Sequence, residues 1–461
     1  MMTQKKGMVT VFLLLLLGSA GAQQRYELSV REAVDLAYKN VVDVKNAEID
    51  YRIQEAQNKE ITGRALPQVT GSIGAQYYVQ LPTILFPNGQ DAAIYGVLLK
   101  EGLLPAGTVV PQPTLSPVSF QQPWNLSIGA TVQQLLFQPD VFVGLQARKT
   151  SLALSRAQLE QTKERVKDSA YRRYYAILIA EKQLQFLDSS IVRLEKLHHD
   201  QTILFKNGFA EKLDLDRTEV QLNNLRSTRN IVDNGVSISY AALKFAIGVS
   251  QKDTVILKEE LTPETLKEGI LDQSFAYENR AEIRTLQIAR DFQQLDVRRN
   301  KLAALPTAAL AGNYSVNAQG QKFFTDKNTR WLKSSYIGVN ISVPIFDGFQ
   351  RKYRTQQAQL RVDKIDNNIT FAKQAIDFQL EASQTSLKSA LLNLDAQERN
   401  LQLALRVYSL TKIKFEQGLG SSFEVLQADA DYQQAQSNYF NALYNATVAR
   451  IGYQSSLGRL Q

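Results

Sequence analysis

The second half of this 461-residue chain repeats its first, and each copy reads as helix, strand, loop, strand, very long helix, turn, helix. At an offset of 210 residues, Phe205, Gly208 and Asp214 fall on Phe415, Gly418 and Glu424. Upstream, a seven-residue ladder of Leu387, Leu394, Leu401, Tyr408 and Phe415 falls on Ile177, Leu184, Ile191, His198 and Phe205. Before the strands the offset is 239: Ala65-Leu66-Pro67 matches Ala304-Leu305-Pro306, and Asn40 matches Asn279. The difference between the offsets is the extra length of the first inter-strand loop, at 81–123.

Lys5 and Lys6 precede an apolar run over 9–17, and Ala20-Gly21-Ala22 supplies a small-residue cleavage site, so 1–22 reads as a secretory signal. The chain has no Cys, so the export expected here involves neither a thioether-linked lipid nor a disulfide. No later segment approaches the roughly 18 uninterrupted apolar residues of a membrane helix. Membrane residence must then come from strands.

The expected organisation is a first repeat over 23–250, with strands at about 67–80 and 124–137, and a second over 251–461, with strands at about 306–318 and 335–346. A helix starts at Ser29, where Glu32 completes a capping box, and runs to about Gly63 with an interruption near Asn40. The pattern then changes period: Val69, Ile73, Ala75 and Tyr77 alternate with polar or small residues, as do Leu126, Ile128, Ala130 and Val132. In the second copy Leu310, Tyr314 and Val316 alternate, followed by Ile337, Val339, Ile341, Val343 and Ile345. The stretch 81–123 carries seven prolines and reads as too broken for regular sheet; its counterpart is the shorter loop 319–331.

Strands apolar on one face and polar on the other, without a helical span, describe a membrane barrel with a wet interior. Four strands cannot close around a channel, and lipid tolerates no open sheet edge, so several chains must share one barrel. Each long helix of roughly 65 residues would measure about 100 Å, matching two short helices of about 50 Å placed end to end. The sustained heptads imply paired, coiled-coil helices.

Here the chain resembles the outer-membrane efflux protein family, the TolC-like outer membrane factors. The resemblance rests on the duplicated Ala-Leu-Pro, on Val343-Pro344-Ile345-Phe346-Asp347-Gly348, and on Phe415 to Gly418 followed by Val425-Leu426-Gln427-Ala428. It implies a membrane α+β fold with internal duplication: a homotrimeric outer-membrane β-barrel, four strands per chain, continuous with a long periplasmic α-helical coiled-coil barrel. It further implies a passive exit duct of a tripartite efflux or type I secretion system in a Gram-negative outer membrane. Its partners would be outer-membrane lipid, a periplasmic adaptor (membrane fusion) protein and an inner-membrane transporter of RND, ABC or MFS type. The alternative of another class is a secreted coiled-coil scaffold or adhesin, which explains the heptads and leaves the strands unexplained.

The resemblance also assigns roles. The tips Asn207, Gly208 and Phe209, and Gln417, Gly418 and Leu419, would engage the adaptor, although Gly208 and Gly418 need only end a helix. Asp214 and Glu424 stand where the family places gating carboxylates, which in a trimer become rings of three. The competing reading is that acids in a helix's first turn complement its dipole. Three departures alter the gate: Gln427 replaces a second acid, Phe415 a tyrosine and Gly420 an arginine.

The sequence offers no nucleophile-base constellation and no phosphate loop, so no enzyme and no cofactor are expected. His198 and His199 are the sole histidines, and His198, on the seam, reads as packed rather than metal-ligating; no metal site is expected. The net charge of +8 comes without a compact basic reading domain, which argues against nucleic acid. Positive residues gather near the strands instead: Arg64, Arg148, Lys149, Arg298, Arg299, Lys301, Arg351, Lys352 and Arg354. They read either as solvated helix faces or as a belt facing the membrane surface.

Overall fold

The computed structural model describes residues 24–260, 266, 275–322 and 329–460; the expected signal at 1–22 lies outside the described residues, as does part of the 319–331 loop. The chain divides into two compact units, one comprising residues 56–148 and 295–358, the other the remaining described residues.

The first unit contains a four-stranded antiparallel sheet, in the order β2 (Gln68–Tyr77), β5 (Trp124–Phe137), β7 (Thr307–Gly320), β8 (Arg330–Ser342). The registers run Gln68 to Gln133, Trp124 to Gly320 and Thr307 to Ser342, so one strand pair from each copy meets in the middle. Gly129 is needed there: a Cβ would lie 3.1 Å from Ser315 Cβ and 3.2 Å from the Tyr314 carbonyl. Strands β2 and β8 are open edges, and Val69, Ile73, Val339 and Ile341 are all exposed.

Two expectations need correction. The proline-rich stretch 81–123 is partly regular: β3 (Ile84–Asn88) pairs antiparallel with β4 (Thr114–Val118), and helix α3 (Gln90–Lys100) lies between them. Pro87 and Pro117 fit because both strands of a two-stranded ribbon are edges, where a missing N–H costs no ladder bond. The last strand ends at Ser342 rather than near 346, just before Val343-Pro344, and it begins earlier, at Arg330.

The second unit is mainly helical. The chain enters through β1 (Arg25–Leu28), paired in parallel with β6 (Thr254–Leu257), a four-residue ladder too short to show in a periodicity. Ser29 caps α1 (Val30–Asn40) with the full capping box to Glu32. Val30, Ala33, Val34 and Ala37 form its buried stripe, and the helix breaks at Val41 before α2 (Val42–Arg64). The core there gathers Ala33, Ala37, Ala170, Tyr174, Ile177, Leu243 and Ile247. Tyr174 donates to the Leu28 carbonyl at 2.8 Å, and burial pushes its phenol up to about 12, so it stays a donor at any physiological pH.

The long helices α4 (Pro139–Lys206) and α7 (Gln350–Glu416) have 68 and 67 residues, and their partners α5 (Lys212–Ala246) and α8 (Ser422–Ser456) have 35 each; α6 (Ala281–Leu302) precedes β7. Leu194 of α4 packs on Leu222 and Leu225 of α5, while Tyr408 of α7 packs on Val425, Ala428 and Tyr432 of α8. A second seven-residue series points outward: Ile231, Ile238 and Phe245 on α5 are 69%, 70% and 78% exposed. One chain therefore leaves a helix seam uncovered.

Candidate functional site

Each hairpin turns through the same device. Gly208 adopts φ 80° and Gly418 φ 73°. Gly208 N–H donates to the Phe205 carbonyl at 3.0 Å and Phe209 N–H to Leu204 at 2.8 Å; Gly418 and Leu419 repeat this on Phe415 and Lys414, both at 2.9 Å. This is the Schellman pattern, which satisfies the last carbonyls of a helix. It leaves Phe209 and Leu419 projecting, 80% and 77% exposed. Asn207 folds back to the Ile203 carbonyl at 2.8 Å, and Gln417 N–H bonds the Ile413 carbonyl at 3.1 Å. The six tip residues thus form two polar turns, each ending in a bare apolar side chain.

Asp214 lies in the first turn of α5, its carboxylate 3.5 Å from Arg217. The Arg217 guanidinium also sits 5.4 Å over the ring of Phe423, next to Glu424. Arg217, which sequence reading did not single out, thus links the start of α5 to the start of α8. Glu424 occupies the first turn of α8, where Ser421 caps the helix by accepting from Glu424 N–H at 3.2 Å. A Cβ on Gly420 would lie 3.3 Å from Glu424 Oε2, so an arginine at 420 would crowd this carboxylate. Gln427 is exposed and donates to Asp431 at 3.0 Å along its own helix.

Behind the tips a buried polar cluster joins the two hairpins. Arg193 of α4 stands over the rings of Tyr408 (5.8 Å) and Tyr432 (5.2 Å), which stack at 6.1 Å. Its terminal nitrogen donates to Ser190 at 2.6 Å, and Ser190 reaches Gln436 at 3.4 Å. Asp429, 1% exposed, accepts from Gln433, and its other oxygen has no partner. Burial pushes the Asp429 carboxyl above its ordinary range, while Arg193 and Gln433 pull it back. Nearer the tip, Gln201 of α4 donates to Ser422 of α8 at 2.6 Å. The signal for this cluster was in the sequence: Asp429 and Gln436 stand seven residues apart on the face of α8 that buries Val425, Ala428, Tyr432 and Ala435. Polar residues at seam positions fix helix register.

His198 is half-buried with its Nε2 unpaired, and no cluster of metal-binding side chains occurs among the described residues.

A β-sheet unit with long helical hairpins is the fold of solved outer-membrane channels. Residues 274–459, within the chain's second copy, match the family described as outer membrane efflux protein. The chain is 20% identical over 340 residues to the outer membrane protein TolC of Vibrio cholerae, covering 73% of this chain and 77% of that one. Among solved structures, CusC superposes with a TM-score of 0.71 at 14% identity over 94% of this chain and 92% of that chain. The CmeC outer membrane channel of Campylobacter jejuni gives 0.69 at 16% identity over 96% and 91%.

Proposed function

We propose that three copies of this chain close one barrel in the outer membrane of a Gram-negative bacterium and set their hairpins into one periplasmic tunnel. This makes the passive exit duct of a tripartite efflux or type I secretion system. The observation that carries the reading is the sheet order β2-β5-β7-β8, whose two free edges would be intolerable in lipid unless copies pair edge to edge. The uncovered seam of Ile231, Ile238 and Phe245 supports it from the helical side, since apolar heptads seek a partner helix. The relation to TolC and the shared fold with CusC and CmeC point the same way.

In this reading the duct supplies a path and its partners supply energy. The projecting Phe209 and Leu419 tips dock a periplasmic adaptor, which links the duct to an inner-membrane pump of RND, ABC or MFS type. Asp214 and Glu424 form acidic rings at the mouth. The closed state is held by the Arg193–Tyr408–Tyr432 stack and the Gln201–Ser422 bond, in place of the contacts that Gly420 and Phe415 cannot make.

Carbonate extraction and planar-bilayer recording test the proposal together. A duct stays in the membrane until detergent is added and then gives discrete conductance steps. A scaffold or adhesin is released by carbonate and conducts nothing.

A further inference from the structure

The bend after β8 presents an unusual surface. Ile345, Phe346 and Phe349 are 91%, 74% and 59% exposed, and the Phe346 and Phe349 rings meet edge-on at 5.6 Å. Phe349 has φ 65°, directly after Gly348 at φ 62°. It is the sole non-glycine residue with positive φ among the described residues, and a bulky side chain there is strained. The chain thus spends backbone strain to hold apolar rings in the open. Tyr353, also exposed, follows one turn later with Lys352 at 5.8 Å from its ring.

Beside these rings the charge is one-sided. Thr307 pairs with Ser342, so the end of α6 and the start of α7 flank the same end of the β7–β8 ladder. Of the six basic residues there, Arg299 is paired with Asp296 at 2.8 Å and Arg351 with Asp347 at 2.7 Å. No further acid lies in 295–306 or 343–358. Arg298, Lys301, Lys352 and Arg354 are exposed, and none forms an ion pair among the described residues. On the β2–β5 side, by contrast, Arg64 is paired with Glu60 at 2.7 Å and Arg148 donates to the Leu145 carbonyl at 3.0 Å.

Exposed aromatic rings with unneutralised cations alongside are what an interfacial membrane surface demands: rings lodge at the headgroup level and cations meet phosphates. We infer that the β8–α7 bend and the end of α6 form a binding site for anionic phospholipid, with Ile345, Phe346 and Phe349 inserted among the acyl chains. Arg298, Lys301, Lys352 and Arg354 then hold the headgroup phosphates. The inference rests on the outer-membrane reading above and adds to it a specific lipid contact at the strand ends nearest the helices.

The test uses the full chain in dodecyl maltoside, titrated with phosphatidylglycerol, phosphatidylcholine or inorganic phosphate, with bound lipid counted by native mass spectrometry and the unfolding midpoint followed. Phosphatidylglycerol should bind preferentially and raise the midpoint. The variant Arg298→Gln/Lys301→Gln/Lys352→Gln/Arg354→Gln should lose about five-fold in apparent lipid affinity per charge removed. The variant Arg298→Lys/Lys301→Arg/Lys352→Arg/Arg354→Lys should retain it. Equal lipid binding by wild type and the neutral variant overturns the site. So does an equal midpoint shift by inorganic phosphate, which would mark a general anion site. Loss of assembly by the neutral variant in lipid-free detergent would place this face against another copy and also overturn it. A chain that is soluble without detergent would instead defeat the outer-membrane reading itself.

Discussion

Gly458 closes against Asn279: a Cβ on Gly458 would stand 2.7 Å from the Asn279 carbonyl oxygen. The first copy repeats the arrangement, with Gly248 placed so that a Cβ would lie 2.7 Å from Asn40 Cβ. Both glycines have positive φ, 69° and 68°, and each follows the last helix of its copy. The duplication is therefore preserved down to one backbone-to-backbone approach. In each copy the end of the second hairpin helix is seated on the residue that ends or precedes an entry helix.

From this contact a graded glycine series follows. Gly248→Ala and Gly458→Ala meet both a left-handed conformation and a clash, and should cost about 3 kcal/mol each. Gly208→Ala and Gly418→Ala meet open space at similar φ and should cost about 1 kcal/mol. Denaturant unfolding of the purified variants checks the order; equal losses at all four positions would mean that the close approach carries no energy.

Arg193 is expected to hold the hairpins together. Its two ring contacts contribute about 1 kcal/mol each, so Arg193→Ala should lower stability by about 2 kcal/mol and raise mean conductance in planar bilayers. Arg193→Lys, which keeps the charge but loses the flat face over Tyr408 and Tyr432, should fall between the two. A conductance unchanged in a correctly assembled Arg193→Ala variant would remove this contact from the closed state.

Asp429 makes the cluster sensitive to acid in a definite direction. Its folded carboxyl releases its proton at a higher pH than the unfolded one, first because of burial. Between the ordinary carboxylate value and the raised one the folded state holds more protons, so its stability falls as pH rises through that window and is recovered below it. Asp429→Asn should abolish this dependence. Unfolding midpoints of both proteins from about pH 4 to about pH 8 measure it; a wild type that gains stability relative to the variant as pH rises would reverse the sign.

In the proposed duct, Asp214 and Glu424 should act on ions rather than on assembly. Asp214→Asn with Glu424→Gln should reduce cation selectivity and block by multivalent cations, because fixed charge in a narrow entrance concentrates counter-ions. Reversal potentials under a salt gradient read the change. If selectivity and block persist in the assembled double variant, these carboxylates serve only the helix starts.

What could be read from the sequence followed the strength of its periodicities. The strands announced themselves by alternation, as at Val69 and Ile73, and the long helices by heptads such as Leu387 and Leu394. The β1–β6 ladder did not, because four residues, Arg25 to Leu28, are too few to set a period and the partner lies more than two hundred residues away. The β3–α3–β4 excursion was hidden by its prolines, which an edge ribbon tolerates. At the tips, Gly208 and Gly418 were legible as helix ends, but the reach of Arg217 to Phe423 depends on how two hairpins meet, which no local pattern encodes. Asp429 and Gln436 were visible as polar residues on an apolar stripe and gain meaning only beside Arg193.

If copies of this chain share one barrel, as proposed, the mass of the detergent-extracted particle reveals it. Light scattering or native mass spectrometry, corrected for bound detergent, should give three chains per particle, stable to dilution and to moderate heating. A folded particle of one chain, with its strand and helix content intact, would rule out the shared barrel, because β2 and β8 would then stand as open edges.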